Sequence, residues 1–262
     1  FKGDVKEFNL PKNINIDFAI HAAADVVANK NNYEIFNDCL YGTSNFINEI
    51  KKANCKKMLL LSSGAVYGNT FGLRNNISEN YMGAPNTINP NSAYAEGKRA
   101  SELISSIASE SSDFSITIAR CFAFVGPYLP LDKHFAIGNF ILSAMNNETI
   151  QIKGDGTPLR SYLYSADLVL WLWELLFSEN IHKVYNIGGS ESLSIESLAK
   201  KVVSVLNSSS SIEVALPKRE DKLIQKYIPD ITRISKDFGL EPCFDLKSSI
   251  LKTANFYRES VS

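Results

Sequence analysis

The sequence predicts an α/β protein, a doubly wound parallel sheet with a smaller C-terminal domain. Three observations carry this. The runs Asp17–Ala22 (DFAIHA), Met58–Ser62 (MLLLS) and Ser115–Phe122 (SITIARCF) are apolar continuously rather than alternately, the pattern of strands covered on both faces. Helical patterns stand between them, and strand–helix–strand alternation builds a parallel sheet. After Pro127 the pattern changes to shorter strands and apolar helices.

Taken in order, Glu34–Ala53 reads as a helix with Ile35, Phe36, Cys39, Phe46, Ile47 and Ile50 on or near one face. Gly42 lies inside it, where glycine costs roughly 1 kcal/mol relative to alanine, and close helix packing is the expected reason. A second helix starts near Ala93 and carries Ala100, Leu103, Ile104 and Ile107. Asn69–Asn91, rich in Asn, Gly and Pro, joins the two segments that carry the chemistry described below. A loop that long inside a compact domain is usually functional, so it is expected to border the substrate. Phe140–Met145 continues a helix and Thr149–Lys153 reads as a short strand. Tyr164–Phe177 is a long apolar helix, Lys183–Ile187 a strand returning to the main sheet, and Ser194–Leu206 a further helix. Ser208–Ser211 is a loop.

The bulk numbers bound the function. With 262 residues, 45% apolar and 21% charged, the chain has an ordinary globular composition and ample core. A net charge of −1 gives no electrostatic reason for nucleic-acid or anionic-membrane partners. No apolar run approaches the roughly 18 residues of a membrane span. Cys39, Cys55, Cys121 and Cys243 are scattered within the chain, which reads as inert reduced thiols and a cytoplasmic protein. His21, His134 and His182 are too isolated for a metal site.

The chemistry lies in two segments. Leu59-Leu60-Leu61-Ser62-Ser63-Gly64-Ala65-Val66-Tyr67-Gly68 reads as a buried strand ending in a hydroxyl-bearing turn. Ser92-Ala93-Tyr94-Ala95-Glu96-Gly97-Lys98 places a phenol and an ammonium one helical turn apart, because residues i and i+4 are neighbours. An ammonium beside a phenol favours the phenolate and lowers its pKa, so that Tyr94 can exchange a proton with a substrate hydroxyl while Ser63 hydrogen-bonds the same oxygen.

These segments, with Arg120-Cys121-Phe122-Ala123-Phe124-Val125-Gly126-Pro127 and Gly154-Asp155-Gly156-Thr157-Pro158-Leu159-Arg160, resemble the extended short-chain dehydrogenase/reductase family, in its NAD-dependent nucleotide-sugar epimerase/dehydratase branch. The resemblance implies a Rossmann-like sheet domain over 1–126 and 162–189 with an interleaved substrate domain over 127–161 and 190–262, an NAD cofactor with NADP as the alternative, a nucleotide-sugar substrate, and a homodimer through a four-helix interface. It implies Ser63, Tyr94 and Lys98 as the catalytic set, with Lys98 also reaching the nicotinamide ribose. Cofactor contacts are implied at Asp4 and Val5, at His21, Ala22, Ala23 and Ala24, at Leu61 and Ser62, and at Phe122, Ala123 and Val125. Substrate contacts are implied at Gly64, Ala65, Asn139, Arg160 and Arg219, the two arginines beside the diphosphate, where a planar guanidinium suits the task.

The chain departs from that pattern in several places. None of its 14 glycines makes the Gly-rich phosphate turn, and Gly3-Asp4-Val5 resembles a segment that follows the family's third strand. An N-terminal truncation of on the order of 50–60 residues is expected by analogy with complete units of this type. Asp17–Ala22 would then lie at an exposed apolar edge, an aggregation liability. Cys39, Ala123, Val125 and Ser161 stand where the family often has Asn, Asn, Tyr and Asp. Gly64-Ala65 replaces the Asp-Glu pair with which dehydratases eliminate water. The expected reaction is therefore oxidoreduction or epimerisation at C4 of the sugar. The alternatives are a 4,6-dehydratase and a non-catalytic dinucleotide-binding protein.

Overall fold

The computed structural model describes residues 3–24, 30–110, 114–179, 181–219 and 223–261. Its main sheet is formed by β1 (Phe18–His21), β2 (Lys57–Ser63), β3 (Ser115–Cys121) and β8 (Val184–Ile187), in that spatial order and all parallel. The continuous apolar runs have the expected cause. Met58, Leu59 and Leu60 at the centre of β2 are 0% exposed, flanked by strands on both edges and covered on both faces. Among the described residues β1 pairs with β2 alone, and Phe18 and Ile20 on it remain exposed, with the Phe18 ring edge-on to Phe177.

Between β1 and β2 runs α1 (Asn32–Lys52). Its N-terminus is fixed by a capping box in which the Asn31 side chain accepts from the Glu34 amide while Glu34 accepts from the Asn31 amide. Glu34 in the first turn and Lys51 and Lys52 in the last also complement the helix dipole. Helix α2 (Ala93–Glu110) packs against it through a narrow face of Gly97, Ser101, Ser105 and Ala108. A Cβ on Gly97 would stand 2.8 Å from the Cys39 Cβ, so the helices meet where no side chain intervenes. Gly42 also fills a close approach, but its neighbour is Val5, whose Cγ1 would be 2.7 Å from an added Cβ, rather than a helix.

After β3 come β4 (Phe124–Val125), α3 (Ala136–Met145), β5 (Ile150–Ile152), β6 (Leu159–Arg160), β7 (Leu163–Tyr164) and α4 (Ser165–Phe177). Beyond β8 follow β9 (Leu193–Ser194), α5 (Ile195–Leu206), β10 (Ile212–Val214), β11 (Lys226–Tyr227), α6 (Thr232–Phe238) and α7 (Leu246–Val261). Helices α3, α5 and α7 enclose a separate core containing Ile141, Leu198, Val202 and Ile250. Strand β4 pairs with β7, β5 with β10, and β6 lies between β9 and β11. Helix α6 returns to the main sheet, where Ile231 and Ile234 pack with Tyr185 and Ile187 of β8, although they belong to the 190–262 segment. No helix among the described residues is long and apolar enough to cross a membrane.

The loop 69–91 does not line the cavity described below. It pairs instead with the segment that carries β11: Gly72 donates to the Ile224 carbonyl, Ile77 to Ile228 and Asp230 to Ile77. Two backbones with unsatisfied amides have satisfied each other. Nor are all four cysteines inert core residues, since Cys243 is exposed and Cys121 lines the cavity.

Candidate active site

Ligands of parallel α/β sheets bind beyond the carboxyl ends of the strands, and the site residues gather there. Register sets Ser63 at the end of β2 beside Cys121 at the end of β3. Ser63, Tyr94, Arg160, Tyr162 and Tyr227 converge on one cavity of about 760 Å³, with Phe122, Ala123 and Phe124 along its wall. Ser63 Oγ accepts a hydrogen bond from the Ala65 amide, 3.2 Å away, and shares the cavity wall with Tyr94 and Tyr227.

Tyr94 and Lys98 occupy one face of α2 as their spacing predicts, but the electrostatics differ from the expectation. Burial raises the Tyr94 phenol pKa, and the hydrogen bond from Ser63 offsets only part of that. The Lys98 ammonium, 5% exposed, donates to the Leu61 carbonyl at 2.8 Å, and desolvation lowers its own pKa. Burial, rather than the ammonium, sets the direction of the Tyr94 shift.

The remaining predicted residues divide. His21 ends β1, buried, with Nε2 2.9 Å from Thr43 Oγ1, its ring stacked on Phe46 and its Nδ1 unpartnered among the described residues. Desolvation lowers its pKa to about 4. Ala22 and Ala23 follow it, exposed, and Ala24 is half-buried. Leu61 offers its carbonyl to Lys98, and the Ser62 hydroxyl donates to Glu102 at 2.5 Å. Glu102 also pairs with Arg120, at 2.7 Å. Asp4 closes a turn over Lys6–Phe8.

Val125, Asn139, Arg219, Gly64 and Ala65 do not line the cavity. Val125 is 0% exposed and lies in the core of α3, α5 and α7, because the two-residue strand β4 turns it away while Phe124 faces the cavity. The Asn139 amide donates to the carbonyls of Leu131 and Lys133, holding the loop before α3 rather than facing the cavity. Arg219 is exposed and lines a different, shallow depression with Asp155, Leu216 and Pro217. Gly64 makes no wall of the cavity either. The space above it is taken, since an added Cβ would stand 2.7 Å from the Tyr227 hydroxyl and 2.9 Å from the Phe122 ring. Ala65 contributes its amide to Ser63.

Arg160 is met at the cavity. Its Nη2 donates to Gln225 Oε1 at 2.7 Å and its Nη1 to the Leu159 carbonyl at 2.9 Å, which leaves three of five N–H donors. No carboxylate pairs with it among the described residues, and none lines the cavity. Tyr162 stands close by, its phenol pushed up to about 12 by burial. Sequence reasoning missed Tyr162 and Tyr227. The first had a signal, two residues beyond Arg160 and so on the same side of an extended chain. The second had none, because only the β6–β11 pairing sets it opposite Arg160.

Comparison with known proteins bears on the family and the fold. The sequence pattern of the NAD dependent epimerase/dehydratase family matches residues 4–188. The chain is 30% identical over 220 residues to UDP-glucuronic acid decarboxylase 2 of Arabidopsis thaliana, covering 84% of this chain and 48% of that protein. It is 31% identical over 216 residues to UDP-glucuronic acid decarboxylase 1 of Danio rerio, covering 82% and 50%. It spans about half the length of the curated relatives it matches. UDP-glucose 4-epimerase of Thermotoga maritima superposes with a TM-score of 0.81 at 21% identity, over 94% of this chain and 78% of that one. UDP-glucuronic acid 4-epimerase of Bacillus cereus, in complex with UDP-glucuronic acid and NAD, gives 0.78 at 22%, over 94% and 76%. At these identities the structures bear on the fold.

Proposed function

We propose, because the chain belongs to the NAD dependent epimerase/dehydratase family, that its site performs oxidoreduction at C4 of a nucleotide-linked sugar, with epimerisation or ketone reduction as the outcome. The observation that supports this reading most is the cavity itself. A serine hydroxyl and a helix-borne phenol stand at one part of its wall, and an arginine without a carboxylate partner stands at another.

The residues present fit a nicotinamide cofactor at its reactive end. Ala22 and Ala23 leave backbone open beyond β1, and Lys98 is buried beside the phenol. NAD is the form that the family name and the relatives favour, and it would supply hydride acceptance and return. In its phenolate form Tyr94 would take the proton of the sugar hydroxyl as the C4–H bond breaks, and return it on reduction. Ser63 orients the same oxygen. Arg160 offers its free donors to the diphosphate, an anion matched in shape to the guanidinium. Gly64 and Ala65 carry no group that transfers protons, which disfavours 4,6-dehydration.

A second reading, decarboxylation of a nucleotide-linked uronate, is favoured by the relatives' names and by the absence of carboxylates from the described cavity wall. Oxidation at C4 makes a β-keto acid, which releases carbon dioxide without a further acid–base pair. Pairing of two copies through α1 and α2 is supported by exposed Tyr33, Tyr41 and Leu103. The deciding experiment is NMR of products from the complete protein with C6-labelled UDP-glucuronate and UDP-glucose, beside Tyr94→Phe. Unchanged turnover in that variant refutes the assignment, and a 4-keto-6-deoxy product turns it to dehydration.

A further inference from the structure

Helix α2 is tied to the sheet at two successive places. Tyr94, Lys98 and Glu102 recur every four residues and so share one face of the helix. Lys98 donates to the Leu61 carbonyl at 2.8 Å. One turn on, Glu102 meets the next position of the same strand. Its Oε1 accepts from the Ser62 hydroxyl at 2.5 Å, and its two oxygens together take Arg120, Nε to Oε1 at 3.0 Å and Nη2 to Oε2 at 2.7 Å. Ser62 and Arg120 are register partners on β2 and β3, so their side chains leave the same face of the sheet. The position after them is Ser63 beside Cys121, where both strands reach the cavity.

Neither Glu102 nor Arg120 lines that cavity, and both border a separate groove over α2 and β3. We propose that Glu102 is a positioning residue that acts through α2. Its bidentate pair with Arg120 and its bond to Ser62 hold the helix to the ends of β2 and β3, and so set Tyr94 against Ser63. A guanidinium–carboxylate fork fixes direction as well as distance. The two side chains are 12% and 16% exposed, so water competes little for them. Arg120 is itself braced, with its guanidinium carbon 4.7 Å from the centre of the Tyr67 ring, while Tyr67 donates to Asn186 of β8 at 2.7 Å. Glu102 and Tyr94 lie two turns apart, about 12 Å along the axis, so a tilt of about 5° at Glu102 moves the phenol end by about 1 Å. A misplacement on that scale can cost about 100-fold in rate. The inference deepens the proposed C4 chemistry and rests on it for its catalytic meaning, but the position of the helix does not depend on turnover.

The test removes the tie without leaving a charge buried. Glu102→Leu combined with Arg120→Met replaces the pair by apolar side chains, an exchange that buried ion pairs often tolerate, and thermal melting verifies folding. Where that double variant does not fold, Glu102→Gln, of unchanged shape, carries the same measurement. In the chain labelled with ¹³Cζ-tyrosine, the Tyr94 resonance is assigned through Tyr94→Phe. It is expected to shift toward that of exposed Tyr33, while that of Tyr257 on α7 stays in place. An unmoved Tyr94 resonance in a folded variant overturns the inference whether or not the protein turns over. In the complete protein kcat is expected to fall about 10- to 100-fold with KM within twofold, because Arg160 is untouched. Unchanged kcat in a folded variant, with or without a raised KM, would make the pair a mere support of the fold and overturns it too. Failure of the proposed function shows separately, as a complete protein without turnover or a Tyr94→Phe variant with full turnover.

Discussion

Acidification should destabilise this protein through His21 before its surface carboxylates matter. The imidazole is buried, stacked on Phe46, bonded to Thr43, and its pKa is lowered by desolvation to about 4. In the unfolded chain a histidine titrates near 6.5. Between these values the unfolded state binds a proton that the folded state refuses, so stability rises with pH across the window and is lost as pH falls from about 6.5 toward 4. A shift of roughly 2.5 units at 1.36 kcal/mol each corresponds to about 3 kcal/mol, most of it gone by pH 4.5. That is a large share of the about 5–15 kcal/mol by which domains are stable. The assay is urea denaturation from pH 7.5 to 4.5 for the natural chain and for His21→Asn, which has no charge to gain. The variant is expected to start less stable and to show a flatter acid limb. Parallel limbs in the two proteins would refute a neutral, proton-refusing His21.

Three further outcomes follow from the geometry. Gly97→Ala forces a Cβ to within 2.8 Å of the Cys39 Cβ and should cost about 1–3 kcal/mol in denaturant melts, partly recovered by Cys39→Gly; an unchanged midpoint would mean that α1 and α2 have room to spare. Burial pushes the Tyr67, Tyr162 and Tyr185 phenols up to about 12, so the folded state keeps protons that the unfolded chain releases from about pH 10, and stability should fall from there toward pH 12. Tyrosinate absorbance should then rise cooperatively with unfolding, and a gradual titration of every phenol near pH 10 would contradict it. Arg160→Ala should weaken binding of UDP, measured calorimetrically, by about 10- to 100-fold, and Arg160→Lys should restore only part, since an ammonium cannot match the bidentate geometry; equal affinity in all three proteins would place the diphosphate elsewhere.

Local chemistry wrote much of this molecule into its sequence. The continuous apolar runs specified β2 and β3, because strands covered on both faces have no polar side to alternate with. Helical spacing set Tyr94 and Lys98 on one face. Those features depend on neighbours within a few residues. What tertiary structure alone decided depends on partners far apart in the chain. Lys98 donates to the Leu61 carbonyl, and burial raises the pKa of the phenol it was expected to activate. Val125 turned into the core while Phe124 lines the cavity, since the direction of a two-residue strand is set by its pairing with β7. Tyr227 came to Gly64 from 163 positions away through a pairing that no local pattern announces. Periodicity reports which face of an element is buried, but which elements meet is settled by the packing of the whole chain.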